Sequence, residues 1–150
     1  MLTFRDMTPQ DRDIVLPMVE AFYHTDAVTH TVPTQIMERS FQAAVDPDEP
    51  LLRGVLAYEG EALAGYVYLT LCYSAEVGGR CLFIEEIFLN APFRGRGLGR
   101  EIMEWMEAEY PDVRRLRLEV TEVNQSAVRL YEKSGYQYLR YDQMVLDKDL

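Results

Sequence analysis

Apolar positions follow a helical spacing near the start of the chain. Ile14, Met18 and Phe22, flanked by Val15 and Val19, recur at three- and four-residue intervals, the period of a helix that buries one face. Thr8-Pro9-Gln10-Asp11 precedes them: a threonine in capping position, a proline at the first helical position and an acid three residues on. This predicts a helix to about Tyr23. A second helix is predicted from Thr34 to about Val45, where Asp46-Pro47-Asp48-Glu49-Pro50 stops it. His24 to Pro33 mixes polar and β-branched residues and reads as a loop, and Thr3-Phe4-Arg5 as a short first strand.

The period then changes. Arg53–Tyr58 and Leu63–Cys72 are rich in Val, Leu and Tyr around Glu59-Gly60-Glu61-Ala62, which predicts a β-hairpin. Val77-Gly78-Gly79-Arg80 turns the chain into a further strand over Cys81–Leu89. Leu98, Ile102, Trp105, Met106 and Tyr110 restore helical spacing, and Leu116, Leu118 and Val120 alternate with Arg115, Arg117 and Glu119 as a half-buried strand. Asn124 to Ser134 reads as a helix ended by Gly135, and Tyr136–Tyr141 and Gln143–Asp147 as a last pair of strands. The order is β-α-α-β-β-β-α-β-α-β-β, a mixed α/β (α+β) sheet with helices on both faces. No repeat, low-complexity tract or linker divides it, so residues 1–150 read as one domain.

Charge narrows the range of partners. The net charge is −10, which argues against nucleic acid and anionic membranes. Residues 1–90 carry 14 acidic against 5 basic side chains and residues 91–150 carry 11 against 10. The N-terminal part therefore attracts cations, and the C-terminal part can accept an anion. No apolar run approaches the roughly 18 residues that span a bilayer, and no signal peptide is visible. Two cysteines, Cys72 and Cys81, are too few for a disulfide scaffold and no cluster has metal-ligand spacing. A reducing cytoplasm is the expected compartment. The two cysteines flank the turn at 77–80, where they can face each other.

The sharpest local signal is Arg94-Gly95-Arg96-Gly97-Leu98-Gly99-Arg100, between a predicted strand and a predicted helix. Alternating glycines let a ligand approach the backbone, and their N–H groups can converge on an anion at the positive end of the helix. A dinucleotide fingerprint needs glycine three residues after Gly97, where Arg100 stands, and the P-loop pattern needs Lys and Ser or Thr. Both fail. Arg94-x-x-Gly97-x-Gly99 after a strand resembles the pyrophosphate loop of the GNAT superfamily of N-acetyltransferases. The strand Ile84-Glu85-Glu86-Ile87-Phe88-Leu89 and the turn Asn90-Ala91-Pro92-Phe93 stand where that family has its apolar strand and proline turn. A second block, Asn124-Gln125-Ser126-Ala127-Val128-Arg129-Leu130-Tyr131 through Gly135-Tyr136, resembles the family's Asn-x-x-Ala-x-x-Leu-Tyr-x-x-x-Gly-Phe. The two blocks occur in the family's order, and the resemblance covers nearly the whole chain, with residues 24–50 least constrained.

The resemblance implies the V-splayed sheet of that fold, acetyl-CoA as co-substrate, no metal, and transfer of the acetyl group to an amine by direct attack. It implies that backbone amides around Arg94, Gly95, Arg96, Gly97, Leu98, Gly99 and Arg100 hold the pyrophosphate. Ile87, Phe88 and Leu89 then take the pantetheine arm beside a strand bulge, with the Leu89 N–H aimed at the thioester oxygen. Asn124 and Ala127 also border the coenzyme, Asn124 doubling as a helix cap, and Tyr131 is the general acid for the departing thiolate. Glu85 or Glu86 supplies the base. Strict alternation puts the two on opposite faces, and a likeness to the spermidine/spermine branch favours Glu85, acting through water, with Glu86 facing the substrate. Tyr23, Asp26, Tyr66 and Tyr68 are acceptor-side candidates by position. The acidity of residues 1–90 favours a cationic small amine. A protein lysine or N-terminus, and a non-catalytic acyl-CoA sensor on the same fold, stay open. A homodimer is the family's common habit.

Overall fold

In the computed structural model, which describes residues 1–148, five strands lie in one sheet in chain order. They are β1 (Leu2–Asp6), β2 (Leu52–Glu59), β3 (Ala62–Ser74), β4 (Gly79–Leu89) and β5 (Arg115–Leu118). The first four pair antiparallel. β5 pairs parallel to β4, as a strand must after a helical crossover. Helix α1 covers Arg12–Phe22, α2 Thr34–Val45, α3 Leu98–Glu109 and α4 Gln125–Lys133.

Alternation along the strands sorts two apolar layers. Tyr66, Tyr68 and Phe88 face Val15, Val19 and Phe22 of α1 and Met37 and Phe41 of α2. Val67, Leu69, Leu82 and Ile84 face Leu98, Ile102, Met103 and Met106 of α3. Ile102 and Met106 have no exposed surface, so truncating either to Ala removes about 2–5 kcal/mol of stability. Phe4 stacks on Trp105 with ring centroids 4.4 Å apart, tying β1 to α3. The predicted first helix starts as a 3-10 turn, Pro9–Asp11. There the Asp11 carboxylate accepts from the Thr8 amide at 2.7 Å and from the Arg5 guanidinium at 2.7 and 2.8 Å.

Two departures from alternation shape the centre of the sheet. In the β3–β4 ladder Tyr68 opposes Glu86 but Leu69 opposes Ile84, leaving Glu85 as the extra residue of a bulge. β4 also pairs with β5 only over Cys81–Ile84 against Arg115–Leu118. Beyond the bulge the two strands part, and residues 85–89 present an unpaired edge toward β5. Gly65 on β3 keeps its own pairing close on the other side. A Cβ there would lie 1.9 Å from the Phe88 carbonyl oxygen.

The C-terminal reading needs correction. The strands predicted over Tyr136–Tyr141 and Gln143–Asp147 do not form, and Tyr136–Lys148 carries no strand pairing. α4 does end at a left-handed Gly135 (φ 89°) as expected. The chain then passes β5 across a cavity of about 640 Å³ lined by Leu116, Leu118, Tyr131, Tyr136 and Leu139. The two segments line this cavity from either side without forming a ladder. Side chains make the contacts instead, Gln143 to Glu119 at 2.7 Å and Tyr141 to Glu76 at 3.3 Å.

Candidate active site

The glycine loop takes the shape its composition requires. Gly95 (φ 69°) and Gly97 (φ 80°) are left-handed, and Gly97 caps the N-terminus of α3. A Cβ on either would meet nothing within 4 Å, so the conformation, together with access to the backbone, accounts for glycine at both. Gly99 differs: its Cβ would lie 2.9 Å from Leu130 Cδ2, and its smallness lets α4 close onto the first turn of α3. Of the loop arginines, Arg96 is paired with Glu59 at 2.8 Å and Arg100 with Glu104 at 2.8 Å. Arg94 has no carboxylate partner among the described residues. Its Nε donates to the Leu89 carbonyl at 2.7 Å and its guanidinium lies over the Phe88 ring. An open amide-lined turn, a helix N-terminus and one unneutralised arginine together suit an anionic diphosphate.

The free edge of β4 adds a second element. The Asn90 N–H donates to the Ala64 carbonyl of β3 at 2.8 Å. Amides alternate edges along a strand, so the N–H groups of Leu89 and Ile87 point the other way, into the opening toward β5. The side chains of Leu89, Ile87, Leu130 and Tyr131 all pack against the core cluster on the α3 face, so the acid candidate Tyr131 lies on that side of the sheet. Burial pushes the Tyr131 phenol up to about 12. Ala127 and Asn124 are half-buried on the same helix. Asn124 occupies the N-cap position of α4 but its side chain makes no capping hydrogen bond.

On the α1/α2 face the bulge overturns the expectation of opposite faces for Glu85 and Glu86. Ile84 and Ile87 both face α3, and the bulge turns both intervening acids toward α1 and α2. Glu86 is 9 % exposed. Its Oε1 accepts from Tyr23 Oη at 2.8 Å and its Oε2 from Tyr66 Oη at 2.6 Å. Burial raises its proton affinity, against the two hydroxyl donors. Glu85 reaches solvent, and Thr70 Oγ1 donates to its Oε1 at 3.2 Å. Partial burial by the walls of the opening raises its carboxyl, with the Glu119 charge adding to the effect. Tyr68 lies beside this group with its hydroxyl buried and without a protein partner.

The structure thus brings Tyr23, Tyr66, Glu85 and Glu86 together. It does not bring in Asp26, whose side chain is exposed and whose carbonyl accepts from Thr121 Oγ1 instead. That bond ties the α1–α2 loop to the segment after β5, across the opening. Sequence reasoning missed Thr70 and Glu119, whose approach to Glu85 depends on strand register and has no local signal. Among the described residues no group of His, Cys, Asp or Glu has the disposition to hold a metal. Among the same residues no helix is long and apolar enough to cross a membrane.

Solved structures share this fold. A possible acetyltransferase from Clostridium difficile 630 superposes with a TM-score of 0.81 at 14 % identity, over 100 % of this chain and 99 % of its own. A predicted acetyltransferase from Clostridium acetobutylicum, crystallised with acetyl-CoA, gives 0.76 at 14 % identity, over 97 % and 96 %. An integron cassette protein from the mobile metagenome of Cole Harbour Salt Marsh gives 0.74 at 26 % identity, over 98 % and 90 %. Comparison with curated proteins finds no match. The Acetyltransferase (GNAT) family matches residues 17–136, a span that takes in the bulged strand, the glycine loop and the α4 block. The chain belongs to this family of acetyl-CoA-dependent N-acetyltransferases.

Proposed function

We propose that the protein acetylates the primary amine of a small cationic acceptor, which enters from the α1/α2 face and attacks the thioester across the opening between β4 and β5. The observation that carries this reading is the bulge. It sets Glu85 and Glu86 on one face of the opening, while Tyr131 packs on the other. Acetyl-CoA supplies the activated acyl group. The chain supplies the rest.

Amides of the Gly95–Gly99 turn and Arg94 hold the diphosphate. The Leu89 N–H, which no strand partner uses, donates to the thioester oxygen as it gains charge. One preorganised donor of this kind contributes about 3–4 kcal/mol. An alkyl ammonium has a pKa near roughly 10 and cannot attack while protonated. Glu85, exposed and with raised proton affinity, takes that proton, directly or through water. Tyr131, whose phenol stays protonated over the whole working range, delivers a proton to the leaving sulfur. Glu85 and Glu119 also give the entrance a negative field, which favours a cation over a neutral amine.

The test is release of free thiol from acetyl-CoA with putrescine, spermidine, lysine and an aminoglycoside, alongside a protein N-terminal peptide. Turnover with a small cationic amine supports the reading. Tight acetyl-CoA binding with no turnover refutes the enzyme mechanism and favours a sensor. Preference for the peptide refutes the acceptor class.

A further inference from the structure

We infer that Glu86 is a positioning residue: Tyr23 and Tyr66 lock its carboxylate into the core, and the lock holds the bulge that presents Glu85 to the acceptor. The inference rests on the reading of Glu85 as the base. It assigns the neighbouring acid a different task, and Tyr23 and Tyr66 a part in the reaction.

The argument is one of register. Ile84 and Ile87 both belong to the α3 layer. Side chains of an unbulged strand alternate, so an unbulged β4 would drive either Glu85 or Glu86 into that apolar layer. The bulge is the local solution, but a bulge alone does not fix which residue is extruded. Here the choice is set by hydrogen bonds. Both oxygens of Glu86 are occupied, by hydroxyls from two different elements: Tyr23 at the C-terminal end of α1 and Tyr66 on β3. A one-residue shift of β4 would break both bonds at once and leave a carboxylate buried without partners, which is strongly unfavourable.

The same bonds leave Glu86 unsuited to hold a substrate ammonium. It is almost wholly buried, while Glu85 reaches solvent with only Thr70 donating to it. Tyr23 also begins the loop that Asp26 ties to Thr121 across the opening. The lock therefore couples the acceptor-side loop to the strand that carries the base.

The charged and titratable groups around Glu86 are Glu85 on β4, Tyr66 and Tyr68 on β3 and Tyr23 at the end of α1, with Glu119 acting on Glu85. The Glu85 charge adds to the raised proton affinity of the buried Glu86, whereas Glu85 is raised by burial and by Glu119, so replacing Glu86 leaves the acid limb of kcat/KM set by Glu85.

The experiment is the pH profile of thiol release with the best amine of the panel. Glu85→Gln is expected to lower turnover by about 10²–10⁴-fold and to abolish the acid limb. Glu86→Gln is expected to retain the limb, with kcat reduced by less than for Glu85→Gln. Tyr23→Phe removes one of the two donors to Glu86 and is likewise expected to retain the limb with a lowered kcat. Loss of the limb in Glu86→Gln would make Glu86 the base and overturn the inference. A wild-type kcat together with the wild-type limb in Glu86→Gln would overturn it equally. A wild type that turns over no amine defeats the proposed function and is recognised before any variant is made. Hydrogen exchange then still judges the lock, because it needs no turnover. Amides of Glu85–Leu89 are expected to exchange faster in Tyr23→Phe and Tyr66→Phe, and unchanged rates would overturn it.

Discussion

Gly97 offers a test in which strain and ligand exclusion separate. Its φ of 80° is left-handed, and a Cβ there would touch nothing within 4 Å. A valine at 97 therefore meets no steric neighbour in the protein and suffers only the conformational penalty, about 1–2 kcal/mol for an L-residue in this region. For a chain of this length that lowers Tm by about 2–8 °C. Gly60, in the β2–β3 turn, is the matched control, with φ 61° and likewise nothing within 4 Å. Gly60→Val is expected to lose the same stability. Only at Gly97, however, does the new side chain stand over the amides at the start of α3. Titration calorimetry with acetyl-CoA is expected to show at least a tenfold weaker Kd for Gly97→Val, about 1.4 kcal/mol, and no change for Gly60→Val. Scanning calorimetry on both variants checks that their stabilities fall together. Equal acetyl-CoA affinity in the two variants would refute a backbone cradle at Gly95–Gly99, whatever their stabilities.

Other expectations follow from the same geometry. Tyr131→Phe keeps the ring packing and removes the proton, so turnover falls by about 10²–10⁴-fold while the calorimetric Kd for acetyl-CoA holds. A basic limb caused by Tyr131 ionisation appears only near its raised value of about 12, so a limb at lower pH belongs to another group. Asp11, held by the Arg5 guanidinium and by Thr8, has its carboxyl lowered from 3.8 to about 2. Its stabilisation is fully present above the unfolded value and is lost as pH falls from about 4 to about 2. Screening at half-exposed Arg5 leaves about 1–2 kcal/mol, which Asp11→Asn removes at pH 7 in urea unfolding but not at pH 2. Gly65→Ala forces a Cβ against the Phe88 carbonyl at 1.9 Å, so the β3–β4 pairing at the opening must yield. The variant is expected to lose more than about 3 kcal/mol and to exchange the Phe88 and Leu89 amides faster than the wild type.

What the sequence disclosed is what short stretches of chain encode by themselves. The bounds of α2 at Thr34 and Val45, the start of α3 after Gly97 and the left-handed Gly135 that ends α4 all rest on residues within a turn of each other. The glycine loop was legible for that reason, because its chemistry is the backbone of a few adjacent residues. The same logic fails wherever a position is defined by a partner strand. Glu85 and Glu86 look alike in sequence. Strict alternation gave them opposite faces because nothing local says that Tyr68 and Leu69 will oppose Glu86 and Ile84, with one residue left over. Thr70 and Glu119 reach Glu85, and Tyr23 and Tyr66 reach Glu86, only after that slip has occurred. The segment after Gly135 shows the converse error. Tyr136–Asp147 has the composition of strands, but composition reports only readiness to pair, and here the segment lines a cavity beside β5 without pairing to it. A carboxylate whose role depends on the slip can therefore be assigned only from the pairing of β3 with β4. The bulge would be the feature to trace in a relative whose strand carries a single acid: alternation restored there would return that acid to one face, and the base would have to come from another element.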